Sequence, residues 1–185
     1  MQTTFVVHVE DRPGVLNRVA SLVRRRGFNI ESVTVGRTEM TGMSRMTLVV
    51  DADEAARPRL KAHLYKLVHV RRVCDLTDVP AVTRDLAMIK VAADPSSRAE
   101  IMQLVDVFRA RVVDVAPESL VIEITGTEEK VDGLLDMLRP YGILETARTG
   151  RVTMARGAVA RQNGVRQPRQ PWTGAADDAN VAWSV

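Results

Sequence analysis

Residues 3–51, TTFVVHVEDRPGVLNRVASLVRRRGFNIESVTVGRTEMTGMSRMTLVVD, read as a β-α-β-β unit. Residues 3–10 are rich in β-branched side chains and read as a strand. Asp11-Arg12-Pro13-Gly14 is a turn signal. After it, Val15, Leu16, Val19, Leu22 and Val23 recur with polar Asn17, Arg18, Ser21, Arg24 and Arg25 between them. That period predicts an amphipathic helix, and Gly27, after the basic Arg24-Arg25-Arg26, ends it. The cations of the last turn also suit the negative end of the helix dipole. Residues 28–38 return as a strand, 39–43 turn, and 44–51 form the next strand.

Working outward, Asp53 to Lys66 reads as a second helix with Leu60, Leu64 and Leu67 on one face. Pro58 sits early in it, so either the helix starts after Asp53 or its first turn is distorted. Residues 68–78 close the unit as a strand. The order is β-α-β-β-α-β, and beyond Pro80 it repeats. Residues 83–92 read as a strand, and Asp94-Pro95 as an N-cap with proline at the first helical position. Ile101, Leu104, Val105 and Phe108 line the helix that follows. Residues 111–116 and 118–125 form a hairpin around Ala116-Pro117. Thr127 caps a helix carrying Val131, Leu134, Leu135 and Leu138, which Pro140 stops. Residues 142–156 supply one or two closing strands.

The predicted fold class is therefore α+β, with two tandem ferredoxin-like βαββαβ domains at 1–79 and 80–157. Each sheet carries both helices on one face, which leaves the other face needing cover. Edge-to-edge sheet pairing in a homo-oligomer is the expected source of that cover.

Composition narrows the function classes. The chain has 185 residues, 45% hydrophobic and 26% charged, enough to build a core. Its net charge of +3 is too weak to argue for nucleic acid. The single cysteine, Cys74, rules out an internal disulfide framework and any cysteine-cluster metal site. No apolar run is long enough for a membrane helix, and MQTTFVVHVED lacks the basic start of a signal peptide. A cytoplasmic location is expected. Residues 158–185 hold both tryptophans, Trp172 and Trp183, but no Leu, Ile, Phe or Met. That stretch cannot offset an ordering cost of roughly 1–2 kcal/mol per residue, so a flexible tail is expected.

Catalytic motifs are scarce. His8, His63 and His69 are scattered, and Cys74 has no nearby histidine in the sequence. No nucleophile elbow, phosphate loop, zinc-protease motif or dinucleotide fingerprint occurs. The turn Glu10-Asp11-Arg12-Pro13-Gly14-Val15-Leu16 is different. Gly14 lets the backbone turn and lets a ligand approach. The amides of Gly14, Val15 and Leu16 are free N–H groups at a helix N-terminus, a ready carboxylate site. Asp11 can accept from an ammonium group. Asn29 offers a donor and an acceptor, and Ile30 beside it can face an apolar side chain. Together the set can hold a small zwitterion. An ordinary strand-to-helix turn with a local cap remains the competing reading.

Glu10-Asp11-Arg12-Pro13-Gly14-Val15-Leu16 resembles the ligand loop of ACT domains, small-molecule sensors attached to amino-acid metabolism. DRPGVLNRVASLVRRRGFNIESVTVG, followed by SRMTLVV and HLYKLVHVRRV, resembles the regulatory (small) subunit of acetolactate synthase, also called acetohydroxyacid synthase. RDLAMIKV, Arg111-Val112-Val113-Asp114-Val115, Glu123-Ile124-Thr125-Gly126-Thr127, Ala147-Arg148-Thr149-Gly150 and Ala155-Arg156-Gly157 extend the resemblance to residue 157. It implies an N-terminal ACT domain, a C-terminal ACT-like domain and no catalysis by the chain itself. It implies a homodimer through the ACT domains and a catalytic large subunit as partner. That subunit would carry thiamine diphosphate, Mg²⁺ and FAD, with no cofactor on this chain. A branched-chain amino acid, usually valine, would be the effector. The implied effector residues are Asp11, Pro13, Gly14, Val15, Leu16, Asn29 and Ile30, at an interface of two ACT domains. The competing classes are a stand-alone ACT sensor with another target, an arginine-rich nucleic-acid module, and an enzyme in its own right. The nucleic-acid reading lacks an aromatic stacking platform.

Overall fold

A computed structural model describes residues 1–157. The expected tail lies outside the described residues. The N-terminal unit runs β1 (Gln2–Glu10), α1 (Val15–Arg25), β2 (Asn29–Arg37), β3 (Met43–Asp51), α2 (Ala56–Tyr65) and β4 (Val70–Asp75). Its sheet has the order β2-β3-β1-β4, all antiparallel. The C-terminal unit repeats the pattern with β5 (Ala81–Ala92), α3 (Arg98–Val107), β6 (Arg111–Ala116), β7 (Ser119–Gly126), α4 (Glu128–Leu138) and β8 (Ile143–Arg148), in the order β6-β7-β5-β8. A further strand, β9 (Val152–Ala155), pairs with Ala81–Arg84 at the start of β5. The chain is thus α+β, two ferredoxin-like units in tandem.

The cores follow the predicted periods. Phe5, Val7 and Val9 of β1 meet Val15, Val19, Leu22 and Val23 of α1 and Leu60 and Leu64 of α2. In the second unit Ala87, Ile89 and Val91 meet Ile101, Val105, Val131, Leu134 and Leu138. Leu67, Leu104, Leu135 and Phe108 are only partly buried at the rims.

Local chemistry moves several boundaries. α2 starts after Asp53, because Asp53 Oδ1 accepts the Ala56 amide at 2.6 Å and Pro58 falls within the first turn, where its missing N–H costs nothing. β4 is shorter than the predicted 68–78, since Asp75 Oδ1 takes the Thr77 amide (3.0 Å) and hydroxyl (2.6 Å) and turns the chain. Similarly, α3 starts at Arg98 rather than at Pro95. Asp94 Oδ1 accepts the amides of Ser96 (2.9 Å) and Ser97 (2.8 Å) and both hydroxyls, making a turn before the helix.

Those bonds, first the Ser96 hydroxyl, pull the Asp94 carboxyl down to about 2. A depressed folded value adds stability above the ordinary value of 3.8, lost as pH falls through about 2. Asp94→Asn is therefore expected to flatten the stability profile between pH 4 and pH 2 without changing its shape above pH 5, as urea unfolding at each pH would report.

The uncovered sheet face differs from expectation. Val6, Thr47 and Val49 point away from the helices of the first unit, yet each is at most 2% exposed. The chain itself supplies the cover, because the segment around β9 lies there. Thr34 Oγ1 donates to the Thr149 carbonyl (3.0 Å), and Arg45 donates to the Thr153 carbonyl. Edge-to-edge pairing of two copies is not what covers this face. It would extend the sheet sideways and leave the face as it was.

Candidate functional site

The loop from Asp11 to Leu16 joins β1 to α1. Gly14 is the N-cap of α1, in the left-handed region at φ 78°, and a Cβ there would meet nothing within 4 Å. No side chain caps the helix, and its first turn has no acidic residue. The Val15 amide turns back to the Arg12 carbonyl at 3.4 Å, so it is not free as expected. Gly14 and Leu16 keep their amides at the positive end of the helix. The Val15 side chain is buried in the core, whereas Leu16 is 44% exposed. Pro13 is exposed in the loop.

Neighbouring charges hold this loop. The Asp11 amide donates to the Gly42 carbonyl at 2.8 Å, and its half-exposed carboxylate lies 3.8 Å from Arg37 Nε. Glu10 is largely buried and accepts from Arg12 Nε (3.0 Å), His69 Nδ1 (2.9 Å) and Arg71. One carboxylate thus gathers three nitrogen donors beside the helix start. Sequence reasoning missed this cluster, because Glu10 and His69 are 59 positions apart and meet only through the β1–β4 pairing.

Asn29 and Ile30 are not in that loop's neighbourhood. Asn29 pairs with Asp51, which pairs with Gln2 on the other side of β3, while Glu10 pairs with Met43. The two halves of the expected site therefore sit at opposite ends of one sheet. Eight residue steps along β1, at roughly 3.3 Å each, put them about 26 Å apart. Asn29 is exposed. Ile30 is half-buried and packs on the N-terminal core with Phe28. Its partner is Val50, on the inward face of β3.

β2 is an edge strand. Val33 and Val35 pair with Leu48 and Met46, which puts them on the helix-bearing face, yet they are 39% and 43% exposed. An edge strand with exposed valines is a surface for pairing with another strand.

No catalytic constellation forms among the described residues. His8 lies on the sheet between Arg45 and Arg72, and burial first, then those two cations, pushes its imidazole below the ordinary range. Arg72 Nε donates to Cys74 Sγ at 3.1 Å. Among the described residues no group of three or more His, Cys, Asp or Glu side chains is arranged to hold a metal ion, and no helix is long and apolar enough to cross a membrane.

A concavity of about 370 Å³ lies between the units and is lined by Glu31, Ser32, Asp85, Glu128, Arg148 and Arg151 among others. Its arginines are already matched, Arg148 to Asp85 (3.1 Å) and Asp132 (2.7 Å), and Arg151 to Glu128.

Known proteins agree over the same span. A family model for the ACT domain of acetohydroxyacid synthase small subunits matches residues 5–72, and one for the small subunit of acetolactate synthase matches 84–157. A probable acetolactate synthase small subunit of Archaeoglobus fulgidus is 50% identical over 157 residues, covering 85% of this chain and 98% of that protein. The acetolactate synthase small subunit of Mycolicibacterium smegmatis is 50% identical over 154 residues, covering 83% of this chain and 91% of that one. The crystal structure of the acetolactate synthase small subunit from Thermotoga maritima superposes with a TM-score of 0.80 at 39% identity, over 85% of this chain and 98% of that one. With both halves matched and the fold shared, this chain belongs to the acetolactate synthase small-subunit family.

Proposed function

We propose that this chain is the regulatory subunit of acetolactate synthase. It binds and activates a catalytic large subunit and confers feedback inhibition by a branched-chain amino acid, valine first among them. The thiamine diphosphate, Mg²⁺ and FAD reside on that large subunit, and the chemistry is done there. The observation that carries the reading is the open, left-handed Gly14 at an uncapped helix N-terminus, in a chain of this family.

The effector site is shared between two copies. Pairing β2 antiparallel with β2 of a second copy, with the two-fold axis near Val33, brings Asn29 of each to the Arg37 end of the other. That end adjoins Asp11 through the Arg37–Asp11 ion pair. Pairing through β4, the other edge, leaves Asn29 remote from both loops. The exposed Val33 and Val35 become buried across the β2 seam. The ligand carboxylate then sits on the Gly14 and Leu16 amides. Its ammonium meets Asp11 or Asn29, and its side chain meets the apolar seam that Val33 and Val35 form.

The effector favours one arrangement of the dimer and shifts the large subunit toward a less active state. A coupling of about 1–3 kcal/mol, or 5- to 150-fold, suffices. The test is to assay the cognate large subunit with and without this chain, across valine, leucine and isoleucine. Activation by the chain and inhibition by at least one of the three are expected. No activation, together with no large subunit recovered in a pull-down, would favour a stand-alone sensor.

A further inference from the structure

The segment Thr149–Arg151, between β8 and β9, is wedged against β2. Ser32 and Thr34 point away from the helices, since they pair with Val49 and Thr47. Ser32 Oγ accepts the Arg151 amide at 3.2 Å, and Thr34 Oγ1 donates to the Thr149 carbonyl at 3.0 Å. Gly150 lies between them at φ 80°, where L side chains are strained. A Cβ on Gly150 would overlap Ser32 Oγ and come within 3.3 Å of Thr34 Oγ1. A side chain at 150 would be strained by the backbone and would push the Ser32 hydroxyl aside, so the two segments are in close contact.

The same short segment is anchored in the C-terminal unit. The Thr149 amide donates to the Leu86 carbonyl (3.0 Å), and Thr149 Oγ1 accepts the Leu86 amide (3.2 Å). Arg148 binds Asp85, whose side chain is 5% exposed, and Asp132 of α4. Arg151 binds Glu128, the first residue of α4, and Gln2 of β1. Ser32 is only three positions, about 10 Å, from Asn29 on the same strand.

We propose that the Ser32–Gly150 contact transmits effector occupancy from β2 to the C-terminal unit. Ser32 and Gly150 are positioning residues for regulation and touch no ligand. The proposal rests on the effector reading above. A ligand that engages Asn29 moves the start of β2, and the strand carries Ser32 with it. A loose contact would absorb a small shift. A close-packed one passes it to 149–151, and from there to β5 through Arg148 and Asp85 and to α4 through Arg151 and Glu128. The physical claim is one contact whose fit depends on where β2 sits.

The test uses the full chain with its cognate large subunit and L-valine. Ser32→Ala removes the acceptor with little risk to folding, and Gly150→Ala forces the contact apart. Three quantities are read for each variant: valine affinity of the regulatory chain alone by calorimetry, and, in the complex, activation of the large subunit and maximal inhibition at saturating valine. Valine affinity within about threefold of wild type and retained activation are expected, with maximal inhibition falling below about a quarter of the wild-type value. A purely structural role would lower affinity, activation and inhibition together. If wild type is inhibited and Ser32→Ala is inhibited equally, the proposal is wrong and the effector reading stands. If wild type neither binds nor responds to valine, leucine or isoleucine, both fall.

Discussion

Gly14→Asp is expected to abolish feedback inhibition while leaving activation of the large subunit intact. The substitution is tolerated by the fold. Asp and Asn accept left-handed backbone better than other non-glycine residues, and a Cβ at this position meets nothing within 4 Å. The aspartate carboxylate sits at the positive end of α1, where an anion is favoured, and competes for the helix-terminal amides. The position it fills is the one proposed for the ligand carboxylate. The ligand loses two charge-assisted hydrogen bonds and meets a like charge. At roughly 1.5–3 kcal/mol for each bond, valine affinity should fall at least about 100-fold. Calorimetry on the isolated chain and inhibition curves on the holoenzyme give the two readouts. Unchanged valine inhibition in Gly14→Asp would sink the site assignment, whatever the family.

A mixture of two inactive chains should recover part of the response. Within one chain the Gly14 loop and Asn29 lie at opposite ends of the sheet, so an effector site that uses both would draw on two copies. Gly14→Asp and Asn29→His should each lose valine binding as homodimers. In a mixed dimer, one site carries both lesions, and the other combines intact Asn29 from the first chain with intact Gly14 from the second. Random assortment makes half the dimers mixed, each with one site of two, so about a quarter of the wild-type binding capacity returns. The recovered sites should keep wild-type affinity. A mixture as silent as either parent would place the whole site inside one chain, or elsewhere. A measured stoichiometry is more decisive than activity here, because inhibition need not scale with occupancy.

Much of the fold was legible in the sequence because it is written in short-range periods. The alternation in β1 and the spacing of Val15, Val19, Leu22 and Val23 need only local geometry, and the same pattern recurs around Ile89 and Ile101. Boundaries slipped where a side chain competed for the backbone. Asp94 captured two amides and delayed α3 by three residues, whereas the later start of α2 was one of the two readings Pro58 allowed. The Gly14 turn was visible for the same local reason, since Pro-Gly between a strand pattern and an amphipathic run marks a turn, whereas its left-handed φ came from the structure. The amide inventory was less visible. The bond from Val15 to Arg12 depends on how the loop closes.

The two βαββαβ units, the glycine turn before α1 and the family resemblance are readable from the chain alone, because each depends on residues close together along it. How distant residues meet was set by strand order and packing. Strand order set Asn29 and Gly14 at opposite ends of one sheet, although only 15 positions separate them. The β1–β4 pairing brought Glu10 to His69 and Arg71. The packing of 149–153 on the open face of the first sheet put Gly150 against Ser32, more than a hundred residues away. Such contacts depend on which edges and faces are left to be covered, and no local spacing encodes that.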